Sequence, residues 1–360
     1  MDTPVTDRRA TRFIELSQGR PGRRRNWATM LPTGNEALSP SYFQLCFAIH
    51  YQQIRALCTA YDVPGVAVVV VGKAGVMATG WLGCKTGTIN SAILGRHHAA
   101  DLCLVEDATL SLRHLALLTY PLRGGRDVRY RLVDLRTPAA FADERGHKLG
   151  CLDAEGPAFV ACGHYCLFFF TTGDGLPWPQ DAVSGWQCIP ERIYFDDQAA
   201  EPDRWLRPHF ECPGDPHSSG RRTTIRTAGP PVRVTRHLLC DQDQPLGRLQ
   251  IRSALGAETI VIGAAAADRG VLLGRYERCD VDGVSSLGHP RISRVHCLLI
   301  RIDGILYAVD TASTNGLGAS PSHTLLEGMR PGRLRFVPLD SEQWLDLAGG
   351  AAHLGWQPLQ

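Results

Sequence analysis

The sequence predicts an all-β chain: two antiparallel β-sandwiches, a short N-terminal helix ahead of them and a Pro/Gly-rich linker between them. From Gly65 onward, short β-rich runs alternate with Gly, Pro and Asp, a texture that favours antiparallel sandwiches over alternating strands and helices. A second observation is a repeated set of small motifs. Leu94-Gly95-Arg96, Ser111-Leu112-Arg113-His114 and Asp134 occur upstream; Leu273-Gly274-Arg275, Ser293-Arg294-Val295-His296 and Asp310 follow in the same order downstream. The third is a helical period confined to Phe43–Cys58, before the β texture begins.

The 360 residues give room for two or three domains, each able to bury a core. Hydrophobic content of 44% and charged content of 21% are those of an ordinary globular protein. A net charge of +2 gives no global field for collecting nucleic acid. Only three of the 38 basic residues are Lys (Lys73, Lys85 and Lys148), so Arg dominates, a bias that also follows from codon usage in a GC-rich genome. No stretch reaches the roughly 20 apolar residues that cross a bilayer, and the N-terminus has no signal-type apolar segment, so a cytoplasmic, membrane-free protein is expected. The tightest Cys cluster is Cys162-Gly163-His164-Tyr165-Cys166, with Cys188 a further candidate ligand. Its continuation Leu167-Phe168-Phe169-Phe170 reads as a buried strand, so no metal and no cofactor are predicted.

Residues 1–36, with Arg8, Arg9, Arg12, Arg20 and the Arg23-Arg24-Arg25 run among Pro and Gly, read as a flexible basic tail. Nucleic acid or an acidic partner is the alternative use of this tail. Only Trp27 follows the Arg run to provide stacking, so nucleic acid is not expected. Residues 37–61 carry the helix: Ser39-Pro40 makes an N-cap and a first-position Pro. Tyr42, Leu45, Ile49 and Gln53 share one spacing, and Phe43, Cys46, His50, Ile54 and Leu57 another. The stripe is expected to pack on the first β domain, with a partner-binding face as the alternative.

Residues 62–172 form the first sandwich, with strands expected at Val66–Val71, Val76–Leu82, Thr88–Leu94, Leu115–Thr119, Val128–Val133, Ala158–Cys162 and Leu167–Thr171. Residues 173–230, with Pro177-Trp178-Pro179 and Pro213-Gly214-Asp215-Pro216, read as a linker that packs partly on its neighbours through Trp186, Ile193-Tyr194-Phe195 and Trp205. Residues 231–358 form the second sandwich.

The downstream motifs continue into Asp310-Thr311-Ala312-Ser313-Thr314-Asn315-Gly316. Gly274-Arg275, Ser293-Arg294-Val295-His296 and Thr314-Asn315-Gly316, in this order on β-rich flanks, resemble the forkhead-associated (FHA) domain, a β-sandwich that grips phosphothreonine peptides. The resemblance implies an adaptor with no bond-making step. A phosphate carries close to two negative charges and several acceptor oxygens, which call for a fixed guanidinium and short hydroxyl or amide donors. By resemblance, Arg275 and Ser293 bind the phosphate and Arg294 adds charge. Thr314 and Asn315 form the last recognition loop, where Asn clamps the peptide backbone. His296 is a buried brace, and Gly274 and Gly316 permit the turns. Arg291 occupies the place that reads the third residue after the phosphothreonine and would favour an acidic one there. The implied partner is a phosphothreonine protein, a Ser/Thr kinase or its substrate.

The upstream repeat resembles the same family more faintly. Arg96, Ser111, Arg113 and His114 form a possible degenerate site, with an Arg-to-Ser spacing of 15 residues against 18 downstream. Aligned without gaps after Asp134, Pro138, Ala139 and Ala140 stand where Thr314, Asn315 and Gly316 stand downstream, so the backbone clamp is lost. A scaffold that binds no phosphopeptide is the alternative function. No Gly-x-Ser-x-Gly, HExxH or P-loop is present, so an enzyme is not expected. Thr3, Thr6 and Thr11 in the tail and Thr223, Thr224 and Thr227 in the linker are candidate phosphoacceptors for capture within the same chain.

Overall fold

A computed structural model describes residues 11–14, 40–123, 127–196, 222–229, 244–281, 284–319, 334–339 and 344–359. The first half runs β1 (Thr11–Ile14), α1 (Pro40–Thr59), β2 (Gly65–Gly72), β3 (Gly75–Gly83), β4 (Asn90–Gly95), β5 (Leu102–Cys103), β6 (Leu115–Thr119), β7 (Tyr130–Asp134), β8 (Ala142–Asp143), β9 (Cys151–Ala154), β10 (Ala158–Cys162), β11 (Tyr165–Thr172), α2 (Ala182–Gln187), β12 (Glu191–Asp196) and β13 (Arg222–Ala228). The second half runs β14 (Pro245–Ser253), β15 (Gly256–Gly263), α3 (Ala264–Arg269), β16 (Val271–Leu273), β17 (Cys297–Ile302), β18 (Ile305–Asp310), β19 (Leu317–Ala319), β20 (Phe336–Pro338), β21 (Trp344–Leu347) and β22 (Ala352–Pro358). Four sheets result, in the orders β1-β3-β2-β11-β10-β8, β12-β13-β9-β7-β6-β4-β5, β15-β14-β22-β21-β19 and β16-β17-β18-β20. The chain is thus mostly β, and among the described residues the strands pair antiparallel except β4–β5 and β12–β13.

Side chains alternate across each strand, and here both faces of the middle sheets are apolar. Val66, Val68 and Val70 of β2 meet Leu115, Leu117 and Leu132 in the core of the first sandwich. Ala67, Val69 and Val71 of the same strand face α1. Leu299 and Ala308 join Leu249, Ile262 and Leu354 in the core of the second sandwich. Leu298, Ile300, Tyr307 and Val309 point the other way and pack on Ile93, Ala116, Leu118 and Val133 of the first. The molecule is therefore a stack of a helical layer and four sheets, with an apolar layer at each junction.

Helix α1 buries Phe43, Cys46, Phe47, Tyr51, Ile54 and Cys58 against the first sheet, while Leu45 (42%) and Ile49 (39%) remain exposed. Tyr51 Oη donates to Pro179 O (2.7 Å) and Arg55 Nε to Trp178 O (3.0 Å), so the start of the expected linker is anchored to this helix. No helix among the described residues is long and apolar enough to cross a membrane.

Several expectations differ from the structure. Residues 182–196 and 222–228 of the expected linker form α2, β12 and β13, and β13 pairs with β9 inside the first sandwich. Thr223 and Thr227 are consequently buried in β13 and are closed to a kinase. Of the tail, Thr11–Ile14 forms an edge strand on β3; Thr3, Thr6 and the Arg run lie outside the described residues. Cys162 points into the first core and Cys166 toward α1, on opposite faces of the sheet, so that motif does not converge.

Candidate functional site

The site is built where β16 ends and β17 begins. Gly274 follows β16, and a Cβ there would sit 2.2 Å from Arg294 O, so glycine allows the two loops to touch. Their contact is a short ladder: His296 N–H to Leu273 O (2.9 Å), Arg275 N–H to Ser293 O (3.3 Å) and Tyr276 N–H to Arg294 O (3.1 Å). Arg275 Nε also donates to Ile292 O (2.7 Å), which fixes the guanidinium beside Ser293.

His296 is fully buried and acts as the brace. Its Nδ1 accepts the Ser293 N–H (3.0 Å), so Nε2 carries the proton and donates to Gly316 O (3.0 Å). One imidazole thus ties the loop before β17 to the loop after β18. With both ring nitrogens spent on the backbone, it has none left for acid–base chemistry.

The loop after β18 is shaped by its own polar side chains. Asp310 Oδ1 accepts Ser313 N–H (3.1 Å) and Ser313 Oγ accepts Gly316 N–H (3.0 Å). Ala312 (φ 59°) and Gly316 (φ 75°) adopt left-handed backbone. The loop then closes on its neighbour: Thr314 N–H donates to Ser293 Oγ (2.9 Å), and Asn315 Nδ2 to Arg291 O (2.6 Å). Ser293 Oγ lies 3.4 Å from Thr314 Oγ1.

Every residue singled out in the second repeat therefore reaches one end of the sandwich. Arg275, Arg291, Arg294, Thr314 and Asn315 are exposed, and Ser293 is 8% exposed at their centre. Arg291 lies against Gly349, where a Cβ would stand 2.9 Å from its Nη2. The edge offers guanidinium, hydroxyl and amide donors, which suits a tetrahedral oxyanion on an extended chain. Sequence reasoning missed the loop-shaping roles of Asp310 and Ser313, although Asp-x-x-Ser is a turn pattern that could have signalled them.

The upstream repeat reproduces the ladder and the Nδ1 half of the brace, while His114 Nε2 lies 3.4 Å from Thr137 Oγ1 where His296 Nε2 meets a carbonyl. Arg96 N–H donates to Ser111 O (3.1 Å), His97 N–H to Leu112 O (2.9 Å) and His114 N–H to Leu94 O (2.8 Å). Arg96 Nε donates to Leu110 O (2.6 Å), and His114 Nδ1 accepts Ser111 N–H (3.0 Å). Gly95 is as crowded as Gly274, with Leu112 O 2.4 Å from a Cβ. Asp134 receives Thr137 N–H (2.9 Å) as Asp310 receives Ser313, and Arg136 (φ 56°) takes the left-handed place of Ala312. Burial pushes His114 down to about 4 and Asp134 up to about 6, the latter despite its bonds from Thr137.

The two repeats part at the rim. Arg113 is buried, and instead of joining Arg96 and Ser111 it donates to Ala312 O in the second sandwich. Its place as a phosphate contact is therefore corrected: it turns into the junction because the second sandwich offers it Ala312 O there. Arg96 and Ser111 keep partly exposed positions.

Residues 271–326 match the family model of the FHA domain. No curated protein matches the chain. Similar solved structures include FHA-1 of Rv1747 from Mycobacterium tuberculosis, 27% identical over 32% of this chain and 99% of that one, with a TM-score of 0.23. The FHA domain of CT664 from Chlamydia trachomatis is 17% identical over 32% of this chain and 99% of that one, with a TM-score of 0.24. EmbR of M. tuberculosis, in complex with a low affinity phosphopeptide, is 16% identical over 31% of this chain and 24% of that one, with a TM-score of 0.23.

Proposed function

We propose that this chain is a non-catalytic, phosphothreonine-dependent protein-binding adaptor in Ser/Thr kinase signalling, and that it binds through the loop end of its second sandwich. The observation that carries this reading is the meeting of Arg275, Ser293 and Thr314, delivered by the two ends of the β16–β17 connection and by the loop after β18, around one exposed edge. The FHA match over residues 271–326 supports the same assignment. Arg275 would present its Nη groups to two phosphate oxygens while Nε stays on Ile292 O, so the fork is fixed before the ligand arrives. Ser293 Oγ, already accepting from Thr314 N–H, can donate its own proton to a third oxygen. Arg294 adds charge at the rim, Asn315 holds the peptide backbone, and Arg291 selects an acidic residue three places on. The partner is a phosphothreonine protein, a kinase of this class or its substrate.

The first sandwich is, on this reading, a second and degenerate copy of the same architecture; the matched hydrogen bonds around Gly95 and His114 support it. Pro138, Ala139 and Ala140 give it no clamp for a peptide, and its role is that of a scaffold.

The test is capture of a degenerate phosphothreonine peptide library by the full chain, with unphosphorylated and phosphoserine libraries alongside. Selective phosphothreonine capture, lost in Arg275→Ala, is the expected result. A folded chain that captures none of the three, or an Arg275→Ala chain that captures as well as wild type, would overturn the reading.

A further inference from the structure

We infer that Arg113 of the first sandwich is a positioning residue for the phosphopeptide loop of the second, so that the two sandwiches form one binding unit; this rests on the proposed reading of residues 310–316 as a recognition loop. Arg113 is only 7% exposed, and its guanidinium donates twice to one carbonyl, from Nε (3.0 Å) and from Nη2 (2.7 Å) to Ala312 O. That carbonyl belongs to a residue with φ 59°, a conformation that non-glycine residues adopt only where their surroundings hold it. Two residues later, Thr314 N–H closes on Ser293 Oγ, and Asn315 closes on Arg291 O. The direction of the Ala312 carbonyl thus sets where Thr314 and Asn315 emerge, and Arg113 sets that direction from across the junction.

The junction supports this as a built arrangement. Arg136, which takes the place of Ala312 upstream, is also held across it: Nε and Nη2 reach Asp280 (2.9 and 2.8 Å), and Nη2 reaches Gly270 O (2.7 Å). In the reverse direction, Arg335 of the second sandwich bonds Asp101 and Ser91 O. Asp101 and Asp280 are themselves equivalent, each accepting a β-strand N–H, from Ile93 (2.8 Å) and from Leu272 (2.7 Å). The contacts are reciprocal, and they bring the loop ends of both sandwiches to the same end of the molecule. Arg113 is the member of this set that lands on the recognition loop.

The test uses the full chain and two readouts. Hydrogen exchange at the amides of Ser313, Thr314 and Gly316 should quicken about tenfold or more in Arg113→Ala, while β17 and β18 keep their protection. Affinity for a phosphothreonine peptide selected from the library should fall about tenfold. Arg113→Lys, which keeps the charge but not the fork, should fall between the two. Arg136→Ala, which removes a comparable set of bonds elsewhere in the junction, should leave exchange and affinity near wild type. Unchanged exchange at the three amides in Arg113→Ala would overturn the inference, as would an equal effect of Arg136→Ala. If Arg113→Ala proves unfolded by its melt, Arg113→Lys decides, since loop exchange at the wild-type rate in that variant would also overturn the inference. Wild-type chain that binds no phosphothreonine peptide would instead overturn the proposed function, and the exchange result would still decide what Arg113 does.

Discussion

At the scale of single residues, exposure separates side chains that meet a ligand from those that shape the loops. Arg275 is exposed, so Arg275→Ala should abolish phosphothreonine binding with little change in melting temperature; Ser293→Ala should abolish it too, at about 1 kcal/mol of stability, because the buried Ser293 Oγ also accepts Thr314 N–H. His296 is fully buried with both ring nitrogens bonded, so His296→Ala strands the Ser293 amide and the Gly316 carbonyl at a cost of roughly 2–4 kcal/mol. Thermal melts beside peptide titrations of the three variants check the division; an unfolded Arg275→Ala chain would contradict it. Asp134 offers a test by pH. Its carboxyl is raised to about 6 by burial, so it favours the fold below the ordinary carboxylate range, and that contribution is lost as pH climbs toward 6. The stability of Asp134→Asn relative to wild type should therefore rise by about 2 kcal/mol between pH 4 and 6.5, the part of the full linkage that falls inside this window. A relative stability independent of pH would refute it. Among these residues, Arg275, Ser293, His296 and Asn315 were legible because each belongs to a short motif with a chemical purpose. Arg113 was not, since a guanidinium two residues after a Ser reads equally as a phosphate contact, and only the partner sandwich, which offers it Ala312 O, draws it inward.

At the scale of elements, the loop ends depend on two glycines that permit backbone contact. Gly274→Ala places a methyl 2.2 Å from Arg294 O and 3.0 Å from Ser293 O, atoms of the backbone that cannot rotate away. The variant should push the loop before β17 off the end of β16, lowering stability by about 1–3 kcal/mol and weakening phosphothreonine capture. A melt and a titration indistinguishable from wild type would show that the loops are not so tightly joined. The strands expected from the sequence appear in place because their β-branched and aromatic runs end at Gly, Pro or Asp. β5, β8 and β9 escaped notice because they are only two to four residues long. β12 and β13 escaped for another reason: their parallel pairing joins segments separated by a long Pro-rich stretch, and composition there reads as a linker.

At the scale of the whole molecule, the junction between the sandwiches decides how the protein behaves when cut. Leu115–Leu118 and Leu298–Ile300 are apolar at consecutive positions, which in a strand means that both faces are covered. The sequence carried this signal, but a boundary drawn at residue 231 treats the second sandwich as a free unit. In the structure Leu272, Leu298, Ile300, Ile302, Tyr307 and Val309 are buried against the first sandwich. A fragment of residues 231–360 would return these six side chains to water. Each forgoes about 1.5–3 kcal/mol of burial, and together they rival the whole stability of a typical domain. The exposed face is the counterpart of the one it normally covers, so two fragments can pair through it about a two-fold axis. The fragment should therefore self-associate or precipitate, while the full chain owes nothing to this face. Light scattering across a concentration series compares the two. Leu298→Lys with Ile300→Lys should make the fragment monomeric and the full chain unstable, because the same charges are solvated in one and buried in the other. A wild-type fragment that stays monomeric with the melting temperature of the full chain would show that the sandwiches are independent, and the linked binding unit would fall with it.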